Sequence, residues 1–326
     1  MTKALVTGGA GFIGSHLVAA LLDKGYEVRV FDDLSTGKLE NIDPRAEFVR
    51  GDIRNYESLV DASQGAEFIF HLAAKVSIAE SLKSYDDVHS VNVTGTANVC
   101  WAALKNYKKV IFSSSCAVYG DTEIPIKEAS PLSPTSPYGV SKLKAEKIAG
   151  DFSRVDGLTI ICLRYFNVYG LRQHVDSPYA AVIPKFVDCA RKNHDVVING
   201  TGEQTRDFIY VDDVVRANLL AMGCNRGRIF NVGTGRETSI NQLWSLIKSQ
   251  TNTLSKAMYA PKTYGEVKRS CADTTLASSD LNFTANTSLS DGLNVIIKCP
   301  CSTIGGAVLS YSKGCRFKPD RGLHIF

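Results

Sequence analysis

The stretch "TGGAGFIG", Thr7 to Gly14, decides the fold. An apolar run, Ala4 to Thr7, leads into it, and a helical pattern with apolar Leu17, Val18, Leu21 and Leu22 leaves it, from Gly14 to Lys24. A strand, a glycine turn and a helix N-terminus in that order make a phosphate cradle. Gly8 allows the tight turn, Gly11 lets the backbone approach a pyrophosphate, and Gly14 lets the helix pack close. The first helical turn, with Phe12 and Ile13, offers free N–H groups and a partial positive charge to an anion.

The same alternation continues outward. Strand patterns at Glu27–Phe31, Glu47–Arg50, Phe68–Leu72, Val110–Ser113, Thr159–Leu163 and Arg228–Gly233 are separated by helical patterns, among them Tyr56–Ala62 and Val91–Leu104. Such alternation implies right-handed crossovers and a doubly wound parallel sheet, a Rossmann-type α/β fold. Asp32 ends the second strand, where a carboxylate can bond both hydroxyls of an adenosine ribose and would repel a 2′-phosphate. That selects NAD over NADP. Asp52, after the third strand, can bond an adenine amino group while Ile53 packs on the ring. "HLAA" (His71, Leu72, Ala73, Ala74) ends the fourth strand with small residues beside the cofactor, and His71 reads as a structural histidine.

The chain has 326 residues, a net charge of +4, 44% hydrophobic and 21% charged residues, the profile of a globular protein with a large core. No apolar run approaches the roughly 18 residues of a membrane span, and no signal-peptide layout opens the sequence. The densest basic spot, Lys105 to Lys109, reads as a solvated helix end, so neither membrane nor nucleic acid is an expected partner. Nine cysteines without a small-scaffold spacing read as reduced thiols in a cytoplasmic protein. Three of them fall in the irregular tail, 299–326, which has no fourth thiol to complete a set. No metal site is expected. Residues 1–170, with returns near 206–235, form the expected cofactor domain; 171–205 and 236–298 form a smaller lobe.

"VIFSSSCAVYG" (Val110 to Gly120) and "SPYGVSKLKAEK" (Ser136 to Lys147) carry the chemistry. Tyr138 and Lys142 stand at i and i+4 on one helix face. A phenol with a reference pKa near 10 is a weak base, but a neighbouring ammonium and a cationic cofactor ring favour its phenolate. Ser115 can bond the same substrate oxygen and relay the proton.

Together with "RYFNVYG" (Arg164 to Gly170) and "RDFIYVDD" (Arg206 to Asp213), these motifs resemble the extended short-chain dehydrogenase/reductase family over about residues 1 to 298. Within it the chain is most similar to the UDP-glucose and UDP-N-acetylglucosamine 4-epimerases. The resemblance implies a UDP-sugar substrate, Ser115, Tyr138 and Lys142 as the catalytic set, and Tyr165 beside the cofactor. It also implies Asn167 and Arg206 on the diphosphate, Val182, Lys185 and Val197 along the uridine, and Ser77 on the sugar. Ser270 stands where enzymes restricted to unsubstituted hexoses carry a bulky tyrosine, which implies room for an N-acetyl group.

Dehydratases of this family place an Asp-Glu pair just after the serine strand, and decarboxylases a Glu. Cys116 and Ala117 stand here instead, and epimerisation requires neither acid. A dehydratase or decarboxylase, and a non-catalytic NAD-binding sensor, are the alternatives. Thr263 departs from the family's diphosphate arginine, with Lys262 and Lys268 nearby. The family's dimer contact implies a homodimer built on the helices at Val91–Leu104 and Tyr138–Phe152.

Overall fold

The computed structural model describes residues 1–105, 108–174, 181–262 and 267–299. Its first half alternates strand and helix: β1 (Lys3–Thr7), α1 (Phe12–Asp23), β2 (Glu27–Asp32), β3 (Glu47–Arg50), α2 (Tyr56–Ser63) and β4 (Ala66–His71). Two short helices follow, α3 (Ile78–Lys83) and α4 (Tyr85–His89), then α5 (Gly95–Lys105), β5 (Lys109–Ser115), α6 (Pro137–Val155) and β6 (Ile160–Tyr165). With β11 (Arg228–Val232) these strands form one seven-stranded sheet in the order β3-β2-β1-β4-β5-β6-β11, every pairing parallel. The expected Rossmann-type architecture is present. The order reverses between β1 and β4, and ligands of such sheets bind outside the carboxyl ends of the strands at that point.

Both sheet faces are covered, so the strands are apolar throughout rather than alternating. Ala4 and Val6 of β1 join one core with Leu17 and Leu21 of α1, Phe230, and Val214 of a later helix. Leu5 faces the other way, into a core with Leu59 of α2, Val99 of α5 and Phe152 of α6.

The second half adds β7 (Asn167–Tyr169), α7 (Val182–Lys192), β8 (Val196–Asn199), β9 (Thr205–Arg206), β10 (Phe208–Tyr210) and α8 (Val211–Ala221). After β11 come β12 (Thr238–Ser239), α9 (Ile240–Thr251), β13 (Ala257–Ala260), α10 (Thr275–Leu281) and α11 (Leu289–Lys298). A third core joins Ile183 and Phe186 of α7, Trp244 of α9 and Leu293 of α11 with Tyr169 and Tyr210.

The structure departs from expectation in two places. Val91–Leu104 is not one regular helix: a wide π-type turn spans Ser90–Thr94 before α5 begins. The basic run is not a solvated helix end throughout. Lys105 is exposed, but Lys108 is 4% exposed and Lys109 lies in β5 with Nζ donating to the Met222 carbonyl at 2.7 Å. Strand pairing overrides the local charge pattern there. The expected tail and the Cys301 and Cys315 thiols within it lie outside the described residues. Cys100, Cys162 and Cys271 are buried free thiols, and Cys299 is buried.

Asp213, buried in α8, ties the segment before α11 to the sheet. Its carboxylate accepts from Asn286 N (3.0 Å), Thr287 N (2.9 Å) and Arg216 Nη2 (2.8 Å). Replacing it with alanine strands two backbone donors, so Asp213→Ala should cost about 2–4 kcal/mol in a urea unfolding experiment; a loss below 0.5 kcal/mol, the range of ordinary surface changes, would contradict this anchoring.

Candidate active site

The glycine turn has the shape a pyrophosphate cradle requires. Gly8 adopts φ +73°, and a β-carbon on it would lie 2.6 Å from the backbone N of Ala73. A β-carbon on Gly14 would overlap the Gly8 carbonyl oxygen. The side chains of Phe12 and Ile13 pack toward the third core, which leaves the first-turn N–H groups of α1 as their contribution to the cleft. Asp32 is buried, accepting from Ala10 N (3.0 Å) and Leu34 N (2.9 Å), one bond on each oxygen. Burial raises its pKa against those two bonds. Each oxygen keeps a lone pair for a ribose hydroxyl, so these residues fit NAD.

Asp52 is held differently. Its carboxylate is gripped by Arg54, at 2.9 Å from Nε and 2.5 Å from Nη2, which lowers its pKa. Ile53 is buried beneath Gly95, where a β-carbon would overlap it. Leu72 and Ala73 are fastened to the first strand by Leu72 N donating to Thr7 O (3.0 Å) and Ala73 N to Thr7 Oγ1 (3.4 Å). Ala74 and Ser77, like them, are half-buried.

His71 has the partners that the sequence did not reveal. Its Nδ1 lies 2.8 Å from Thr7 Oγ1 and its Nε2 3.0 Å from Thr96 Oγ1. Thr96 donates its own proton to Asn92 O at 2.6 Å, so it accepts from Nε2–H, and Nδ1 accepts from Thr7. Burial, with Lys142 adding to it, lowers the His71 pKa to about 3. The imidazole is a neutral structural connector. Asn92 continues the connection, donating to Ser141 Oγ on α6 at 2.9 Å.

The proton-transfer candidates meet at the carboxyl end of β5. Ser136 caps α6 by accepting from Gly139 N at 3.1 Å, and Pro137 takes the first helical position. This places Tyr138 in the first turn, beside Ser115. Ser115 is oriented by the N–H of Ala117, at 3.2 Å. Lys142 is buried and donates to the Ser113 carbonyl at 2.8 Å, with its ammonium 5.1 Å from the Phe112 ring centroid.

The electrostatics correct one expectation. Burial pushes the Tyr138 phenol up to about 12, and Ser115 only partly opposes it. Burial lowers Lys142 to about 8, with Cys162 and Glu146 opposing. The ammonium is committed to Ser113 and does not by itself activate the phenol, because desolvating a phenolate outweighs a charge directed elsewhere. Tyr165 is beside the set but turned into the sheet, its hydroxyl 2.9 Å from Ser113 Oγ and 2.8 Å from the Asn218 amide nitrogen.

Cys116 lies beside Ser115 and Ser270, and burial pushes its thiol up to about 11. It is a protonated wall group rather than a nucleophile. Ser270 therefore lies near Ser115, and Arg206 is close enough for its charge to act on Cys116. Sequence reading missed what holds them. Asp207, fully buried, accepts from Thr234 N (2.8 Å), Gly235 N (2.9 Å) and Ala272 N (3.1 Å). It fixes Ser270 two residues before Ala272 and Arg206 one residue before itself.

Asn167 lies in β7, its N–H bonded to the Asp207 carbonyl at 2.9 Å. Val182 and Lys185 are half-buried in the first turns of α7, and Val197 is 62% exposed on the outer face of β8. Thr263 lies outside the described residues, while Lys262 and Lys268 are exposed. Among the described residues no group of three His, Cys, Asp or Glu can hold a metal, and no helix is long and apolar enough to cross a membrane.

A family model described as the NAD dependent epimerase/dehydratase family matches residues 4–233. The chain belongs to this family. A UDP-glucose 4-epimerase from Thermotoga maritima, solved with UDP-glucose, is 40% identical with a TM-score of 0.88, covering 90% of this chain and 96% of its own. A UDP-N-acetylglucosamine 4-epimerase from Methanobrevibacter ruminantium, in complex with UDP-N-acetylmuramic acid, is 35% identical with a TM-score of 0.87 at 90% and 96% coverage. A UDP-N-acetyl-alpha-D-glucosaminuronate decarboxylase from Bacillus cytotoxicus is 34% identical over 312 residues, 91% of this chain and 97% of the relative. The epimerase/dehydratase family thus includes relatives of more than one chemistry at similar distance.

The depressed His71 pKa makes a pH prediction. The folded protein excludes a proton that the unfolded chain takes up below its ordinary value of 6.5, so stability is lost as pH falls from 6.5 towards 3. The loss from this group should reach roughly 5 kcal/mol. Unfolding midpoints of the parent and of His71→Asn, followed down in pH, should converge; parallel curves would show that His71 is protonated in the fold.

Proposed function

We propose that this protein interconverts C4 epimers of a UDP-hexose, keeping NAD bound through the cycle. The observation that carries the reading is the Ser115–Tyr138–Lys142 set at the carboxyl end of β5, with only a protonated thiol and an alanine where sister chemistries place carboxylates. Gly8, Gly11, Phe12, Ile13 and Gly14 would hold the pyrophosphate, and Asp32 the ribose. Asp52, Ile53, Leu72, Ala73, Ala74 and Tyr165 would line the remainder of the cofactor. Bound NAD supplies a reversible hydride acceptor for the sugar's C4.

Tyr138 takes the proton of the sugar 4-hydroxyl and returns it, with Ser115 sharing its hydrogen bond. Burial makes its resting phenol weakly acidic, and Ser115 is the chain's own group that opposes this. Lys142, anchored on Ser113, holds the cofactor's ribose side. Asn167 and Arg206 hold the diphosphate, an arginine fork suiting it well. Val182, Lys185 and Val197 follow the uridine, and Ser77 the sugar.

A decarboxylase reading has a relative in its favour, but Cys116 and Ala117 supply no acid. A non-catalytic sensor would have no use for all three members of the set. We infer a cytoplasmic homodimer joined through α5 and α6, supported by the exposed Trp101 of α5.

Incubation with UDP-glucose or UDP-N-acetylglucosamine without added NAD should yield epimers of unchanged mass. Tyr138→Phe should lower that rate by about 10²–10⁴-fold; an unchanged rate would remove Tyr138 from the chemistry. Because Ser270 leaves the wall short, both sugars should be accepted. Ser270→Tyr should cut turnover of the N-acetylated sugar by about 10–200-fold while sparing UDP-glucose, as size exclusion in a pocket usually does. Equal losses on both sugars would place Ser270 away from the C2 substituent.

A further inference from the structure

Three serines end β5, and three successive turns of α6 dock on them. Tyr138 lies beside Ser115, Lys142 donates to the Ser113 carbonyl at 2.8 Å, and Glu146 accepts from Ser114 Oγ at 2.5 Å. Positions 138, 142 and 146 follow at i, i+4 and i+8 along one helix stripe. The first two contacts belong to the site proposed above; the third has no role in it.

Glu146 is 7% exposed, and its partner Arg164 is 1% exposed. Arg164 pairs with Ser114 across β6 and β5. Its Nε reaches Glu146 Oε1 at 2.9 Å and its Nη2 reaches Oε2 at 2.7 Å. Its Nη1 donates to the Tyr119 hydroxyl (2.8 Å) and to the Glu128 carbonyl (3.0 Å). Tyr119 in turn donates to Asn231 Oδ1 at 2.7 Å. The carboxylate is thus clamped in plane by a guanidinium that is itself fixed from its other edge.

A buried ion pair is poor at adding stability: exchanging both partners for apolar residues of similar volume is often neutral or stabilising. What the pair supplies is a direction. The fork sets the plane of the carboxylate, the carboxylate sets Ser114, and Ser114 precedes the serine that Tyr138 must meet.

We propose that Glu146, held by Arg164, is a positioning residue that fixes the register of α6 against β5 and so keeps Tyr138 within reach of Ser115. The inference rests on the epimerase reading for its assay. The double variant Glu146→Leu with Arg164→Met removes both charges together. Its thermal midpoint should match or exceed the parent's and its bound NAD content should be kept. Its kcat should nevertheless fall by about 10- to 100-fold, the scale of a misplaced reacting group, with little change in KM. Ser114→Ala, which leaves the ion pair intact, should fold normally and lose roughly 3- to 10-fold in kcat for its one hydrogen bond. If the double variant folds and keeps kcat within twofold of the parent, the proposal is wrong. If it does not fold, Ser114→Ala decides in the same way. A parent that epimerises no UDP-hexose defeats the functional reading instead, so the two failures are distinct.

Discussion

A β-carbon at residue 14 would overlap the carbonyl oxygen of Gly8, and its absence lets α1 begin against the end of β1. Much of the site depends on that close approach. It turns the first N–H groups of α1 toward the carboxyl edge of the sheet, at the point where strand order reverses. Gly8 itself lies against Ala73, so the loop after β4 is pressed onto the same edge. Thr7 then connects this edge through His71, Thr96, Asn92 and Ser141 to the helix that carries Tyr138. Cradle and proton-transfer site are joined by one buried hydrogen-bonded path.

The first half of the chain was legible because strand, turn and helix signals agree there. The run at Glu47–Arg50 matches its strand to the residue, and the glycines of the cradle are where close approach forbids a β-carbon. The set Ser115, Tyr138 and Lys142 was legible through the spacing of its last two members, which puts them on one helix face. The π-type turn at Ser90–Thr94 was not, because its apolar residues keep a helical pattern. Nor were Asp207, Arg164 and Glu146, since what marks them is burial and partners far along the chain.

Tyr138 shows where residue type misleads about chemistry. The i, i+4 ammonium invites the inference that Lys142 activates the phenol. In the fold Lys142 is spent on Ser113, and burial dominates the phenol. The same burial keeps Cys116 protonated, so one low-dielectric wall holds both the thiol and the phenol neutral.

The most direct test follows the hydrogen on C4. UDP-glucose deuterated at C4 is incubated with the protein in ordinary water without added cofactor. The account predicts UDP-galactose of unchanged mass with deuterium retained at C4, because that hydrogen leaves and returns without meeting solvent. Loss of the deuterium to water, or a product lighter by water, would contradict it.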